Sequence, residues 1–215
     1  MNHKTAFQIE RIAFFSDAVF AIAITLMIVE IHPPVFPSDA TQGQSVNQFL
    51  HLVPEIVALI GSFFLIGIYW RRHHQLFGFL TNYDSRLITL NMTVLLSVIF
   101  IPLSTGLIAA NWEHFGISTR LFLPFVVYGF NYFVCAVFNY LLFRYALDPK
   151  NELVDLTEVH DPERLKLEVM FPIFVFLIVT IVSFFSGFLA LPFFALFALE
   201  PIFINLTLRR KKNAA

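Results

Sequence analysis

Apolar runs as long as a bilayer crossing dominate this chain. They fall near 8–31, 51–70, 87–110 and 120–147, and a fifth, from Val169 to Leu208, is about twice that length. A hydrocarbon core about 30 Å thick takes roughly 20 helical residues. The fifth run must therefore fold back on itself, and Ser186-Gly187 and Pro192 offer the break. The expected fold is an all-α membrane protein of six transmembrane helices, near 8–31, 51–70, 87–110, 120–147, 167–187 and 190–208. One domain, 1–215, holds them all. Composition agrees: 58% of residues are hydrophobic and only 13% charged, too few charges to cover a water-soluble surface.

Lysine and arginine set the orientation. Lys4 and Arg11 precede or open the first span, Arg71, Arg72 and Arg86 lie between the second and third, and Arg144, Lys150, Arg164 and Lys166 surround the link from fourth to fifth. Arg209-Arg210-Lys211-Lys212 follow the sixth, whereas 32–50, 111–119 and 187–190 contain neither residue. This alternation places both termini in the cytoplasm. His32-Pro33-Pro34 stops the first helix, Asp148-Pro149 ends the fourth, and Asp161-Pro162 reads as an N-cap with proline at the first helical position. Residues 1–9 are polar and the first apolar run is too long for a cleaved signal, so the first span is expected to stay. Net charge near zero offers no basic face for nucleic acid. The lone Cys135 forms neither an internal disulfide nor a zinc cluster.

The first helix carries the unusual polar residues. Arg11, Ser16 and Asp17 sit within its first turns, and a carboxylate inside a span is partnered or functional. At 100° per residue, Phe15, Ala18, Ile22, Thr25 or Leu26, and Val29 form one stripe, and Asp17 lies well round the helix from it. The stripe is free for a central axis, which suits a helix lining an ion pore. A tightly packed core helix with one buried ion pair fits the same pattern, and the residues alone leave both open. Tyr69-Trp70-Arg71-Arg72-His73-His74 precedes Asp84 and Asn91. Adjacent histidines lack the three- or four-residue spacing of a helical metal site. A histidine pairing with Asp17 or Asp84, with Trp70 at the interface, suits them better. Glu30 and Glu55, near the outer helix ends, suit a cation-concentrating ring or plain solvated carboxylates. No nucleophile–base pair, phosphate loop or cofactor fingerprint appears, so neither an enzyme nor a cofactor is expected.

Arg11-Ile12-Ala13-Phe14-Phe15-Ser16-Asp17 reads R-x-x-x-F-S-D at the start of a first span. With Trp70, His73, His74, Asp84 and Asn91, it resembles the transmembrane protein 175 family of lysosomal potassium channels, in particular its six-helix prokaryotic members. The resemblance implies a homotetramer with helix one of each subunit around a central pore, and the uninterrupted spans, short loops and small size suit a bacterial inner membrane. The resemblance also implies a potassium-preferring channel with a hydrophobic constriction on Ile22, Thr25 and Val29, Leu26 beside them, and potassium passing transiently near Ile22 and Thr25. Other monovalent cations are further candidates for passage. Arg11, Phe15, Ser16, Asp17, Trp70, His73 or His74, Asp84 and Asn91 then form a structural network that fastens helix one and does not touch ions. The rival expectation is a secondary transporter or proton pathway using Asp17, a histidine and Arg11 as a relay.

Overall fold

The structure, a computed structural model, describes residues 3–111, 123–159, 161–186, 196–197 and 199–214. Its helices are α1 (His3–Leu26), α2 (Gln42–Leu50), α3 (Val53–Gly78), α4 (Ser85–Ile99), α5 (Ile101–Ala110), α6 (Leu123–Ala146), α7 (Pro162–Ser183) and α8 (Glu200–Ala214). A 3-10 turn, Met27–Glu30, extends α1 before the prolines halt it. Among the described residues, five helical stretches are long and apolar enough to cross a membrane: His3–Glu30, Gln42–Gly78, Ser85–Ala110, Leu123–Ala146 and Pro162–Ser183. Residues 190–195 and 198 of the sixth expected span, the loops at 112–119 and 187–190, and the Gly187 and Pro192 break lie outside the described residues.

The boundaries differ from the apolar runs where polar groups find partners. The second span does not stop at residue 70: α3 continues to Gly78, so Arg71, Arg72, His73 and His74 are helical. Arg72 and His73 are buried there, each bonded to another helix, and those bonds let the helix outlast its apolar run. The expected loop at 32–50 contains α2. Its N-cap Thr41 and Gln44 form a reciprocal capping box, the S/T-x-x-Q signature of a helix start. The third span is interrupted at Phe100 between α4 and α5, because Pro102 has no N–H to give the Val98 carbonyl. Asp161 accepts from the Arg164 N–H at 2.9 Å and caps α7, with Pro162 in its first turn.

The largest apolar cluster draws on α1 and α3 to α7, with Phe20, Ile66, Leu87, Val98, Tyr132, Phe143 and Phe176 fully enclosed. Helices α6 and α7 approach closely at Gly129, where a Cβ would come within 2.9 Å of Thr180 Oγ1 and 3.1 Å of Val179. Only a hydrogen fits there, and small residues serve this purpose between membrane helices. Elsewhere the outer faces carry exposed Phe64, Leu103, Phe130 and Phe174, the surface a bilayer accepts.

Hydroxyls tie the middle of the bundle together. Thr105 Oγ1 donates to Ser62 Oγ at 2.9 Å, Ser62 Oγ and Tyr128 OH lie 3.1 Å apart, and Tyr132 OH donates to the Ser62 carbonyl at 3.4 Å. Toward the other end of α3, Arg72 donates to Glu200 in the first turn of α8, and both side chains are almost wholly enclosed. Removing one member of a buried pair strands the other charge at a cost of about 3–5 kcal/mol, whereas replacing both with apolar residues is often neutral. Arg72→Met alone should therefore lower the thermal unfolding temperature of the detergent-purified protein sharply. Arg72→Met with Glu200→Met should recover most of the loss.

Candidate functional site

Two opposite stripes divide α1. Ser16, Phe20, Ala23 and Met27, spaced four, three and four apart, are buried against α3, α4 and α5. On the other side Phe15, Ala18, Ile22, Thr25, Leu26 and Val29 are all exposed in the isolated chain. Ile22 keeps 57% and Val29 69% of its surface open. The periodicity of the sequence places the stripe on these same residues. Val29 belongs to the 3-10 turn, and the Thr25 hydroxyl donates back to the Ile22 carbonyl at 2.9 Å. A hydroxyl so engaged still offers its lone pairs outward.

Behind that stripe the polar side chains of three helices meet. His73 Nε2 lies 2.7 Å from Asn91 Oδ1, so this nitrogen carries the proton and donates. Asn91 Nδ2 donates to Ser16 Oγ at 2.9 Å, and Ser16 Oγ donates to the Ile12 carbonyl at 2.9 Å. All four groups are thereby satisfied in one direction, from α3 through α4 to α1. The His73 ring stacks on Phe77, 4.5 Å between centroids, and leans on Phe20 at 5.3 Å. Asp17, one residue on, uses both carboxylate oxygens toward α3. Trp70 Nε1 donates to Oδ1 at 2.9 Å, and His74 Nδ1 lies 3.4 Å from Oδ2. Trp70 and His74 are four residues apart on α3, with their rings 5.5 Å apart, and hold the carboxylate between them. The two histidines thus divide the work: His74 meets Asp17, and His73 meets Asn91.

Other expected members lie apart. Arg11 is exposed, and among the described residues its guanidinium reaches only Gln8 Oε1, at 3.5 Å on its own helix. Phe15 stands on the exposed stripe. Asp84 caps α4 by accepting from the Leu87 N–H at 2.7 Å and also accepts from Tyr145 OH, while Arg86 covers the Tyr145 ring at 4.9 Å. Both Asp84 oxygens are thus engaged, one at its own helix end and one by α6. Glu30 is half-buried. It folds against α5 at Gly106, where a Cβ would lie 3.1 Å from the Glu30 Cβ. Glu55 sits half-buried in the first turn of α3, a favourable place for an acid at a helix N-terminus.

The Arg72–Glu200 pair escaped sequence reasoning, although the signal was present. Glu200 is an acid inside an expected span, as Asp17 is, and such an acid needs a partner. Among the described residues no three His, Cys, Asp or Glu side chains converge as metal ligands would. Interhelical hydrogen bonds between membrane helices are worth about 0.6 kcal/mol on average and up to about 1.7. Ser16→Ala and Asn91→Ala should therefore each destabilise the protein, and by less together than the sum of the two. A double-mutant cycle on unfolding should return a coupling near the upper figure, because Asn91 is otherwise stranded.

Comparison with known proteins identifies the family. Residues 11–102 match the profile of the family described as endosomal/lysosomal potassium channel TMEM175. A potassium channel of Chamaesiphon minutus is 31% identical over 180 residues, spanning 84% of this chain and 86% of that one. The crystal structure of a lysosomal potassium-selective channel TMEM175 homolog from the same organism superposes with a TM-score of 0.75 at 28% identity, over 93% of this chain and 97% of that one. The endosomal/lysosomal proton channel TMEM175 of Gallus gallus is 30% identical over 129 residues, 59% of this chain and 23% of that protein. This chain belongs to the TMEM175 family.

Proposed function

We propose that the protein is a passive cation channel with a preference for potassium, and that α1 lines its pore. The observation that carries this is the division of α1: an open apolar stripe on one side, and on the other an acid and a serine fastened to α3 and α4. A lipid-facing helix has no need of so firm a rotational anchor. A helix whose open face must meet its copies does.

Four chains around one axis would bring four Ile22 side chains together, with Thr25, Leu26 and Val29 above them. An aliphatic ring of this kind excludes water, and dewetting blocks ions without a plug. Opening splays or turns the α1 helices so that water and the Thr25 oxygens meet the ion, and potassium passes transiently near Ile22 and Thr25. Such a site replaces little of the hydration shell, so selectivity is modest beside a filter of carbonyl rings. Both termini face the cytoplasm, by the lysine and arginine alternation. The setting is a bacterial inner membrane, and no cofactor takes part.

Proton passage is the alternative. Two things favour it: the name of the avian relative, and the Asp17–His74 pair, whose side chains remain 29% and 60% exposed. A relay through His73, Asn91 and Ser16 runs against it, because that chain of donors ends on the Ile12 carbonyl and hands no proton to Asp17. Arg11 is likewise outside the group.

Liposome flux under a potassium gradient separates the two. Ile22→Asn should raise potassium flux several-fold and erode the preference over sodium, and unchanged flux would remove Ile22 from the path. If protons are the permeant species, a pH gradient will drive the current and Asp17→Asn will abolish it while the potassium gradient has no effect.

A further inference from the structure

Helix α8 runs from Glu200 into Arg209-Arg210-Lys211-Lys212, four consecutive cations within one continuous helix. Ile202, Leu206 and Arg209 recur at i, i+4 and i+7 and share a face. All three are exposed, as are Phe203 and Arg210. One side of α8 therefore passes from aliphatic to cationic within about two turns, the order in which a helix leaving hydrocarbon meets the headgroup layer.

Arg209 and Arg210 form no ion pair among the described residues. The acid in the first turn of α8 is engaged elsewhere, since Glu200 holds Arg72. The Arg72–Glu200 pair also pins the first turn of α8 to α3, which fixes where the cations are presented.

We propose that this end of α8 binds the headgroups of anionic phospholipids in the surrounding bilayer. Arginine suits a phosphodiester, which its planar fork contacts through two parallel hydrogen bonds. A basic segment at the end of a span gains roughly 1 kcal/mol per Lys or Arg from an anionic leaflet, or about five-fold in affinity each. Free phosphate would meet the cations but leave Ile202 and Leu206 bare, whereas a lipid covers both. The surface requires only that the chain lies in a membrane, and it stands or falls independently of conduction.

Purification in mild detergent with equal amounts of phosphatidylglycerol and phosphatidylcholine, followed by mass spectrometry of the retained lipid, tests it. The full chain should retain phosphatidylglycerol in preference, and high salt should remove that preference. Arg209→Gln with Arg210→Gln, which leaves two lysines to hold the topology, should weaken the preference by about 25-fold at low salt. Arg209→Lys with Arg210→Lys, which keeps both charges and removes only the fork geometry, should retain most of it, separating charge from fold. Equal retention of the two lipids by the full chain, or an undiminished preference in the glutamine variant, would overturn the proposal.

Discussion

A carboxylate in an apolar medium has to be met, and meeting Asp17 decides how α1 is turned. Its two oxygens take Trp70 and His74 from α3, while Ser16, 100° away on the helix, takes Asn91 from α4. Two contacts at different azimuths fix rotation as one contact cannot. A turn of α1 in either direction would strand an acid, a serine and an amide together. The residues a turn or more further along inherit this phase, so Ile22, Leu26 and Val29 face outward because Ser16 and Asp17 face inward.

The same device recurs at the far end of the chain. Arg72 lies two residues after Trp70 and is buried as deeply as His73, yet it turns to α8 and holds Glu200. One stretch of α3, from Trp70 to His74, thus presents side chains to α1, α4 and α8. These contacts are directional where apolar packing is not, since lipid tails compete with any leucine for another leucine. The matched family profile, 11–102, covers Ser16, Asp17, Trp70, His73, His74 and Asn91 but not Glu200. The α1 anchor lies inside that matched stretch, while the α8 anchor reaches beyond it.

Much of this architecture was legible in the residues. Run length gave five spans among the described residues because hydrocarbon thickness allows few alternatives, and a 3.6-residue period found the open stripe because α1 is regular from His3 to Leu26. The cap at Asp161-Pro162 was equally plain. What failed were inferences from polarity alone. Arg71 to His74 fell beyond the expected span because charge usually ends one, but paired side chains kept Arg72 and His73 within the helix. Asp84 looked like a partner for the α1 group, and capping claimed it first. Arg11 stands in the signature and still meets only Gln8 among the described residues. Which histidine would serve Asp17 depended on the precise pitch of α3, beyond what a pair of adjacent identical residues can disclose.

The account rests on α1 turning its aliphatic side toward other copies of itself and its acid toward its own subunit. Determining the structure of the detergent-purified assembly, and measuring which side chains lie nearest its symmetry axis, tests that most directly. It should show four subunits with Ile22 forming the narrowest ring and the Asp17 carboxylate held by Trp70 and His74 of the same chain. An Asp17 carboxylate projecting into a shared passage, or subunits with no passage between them, would contradict it.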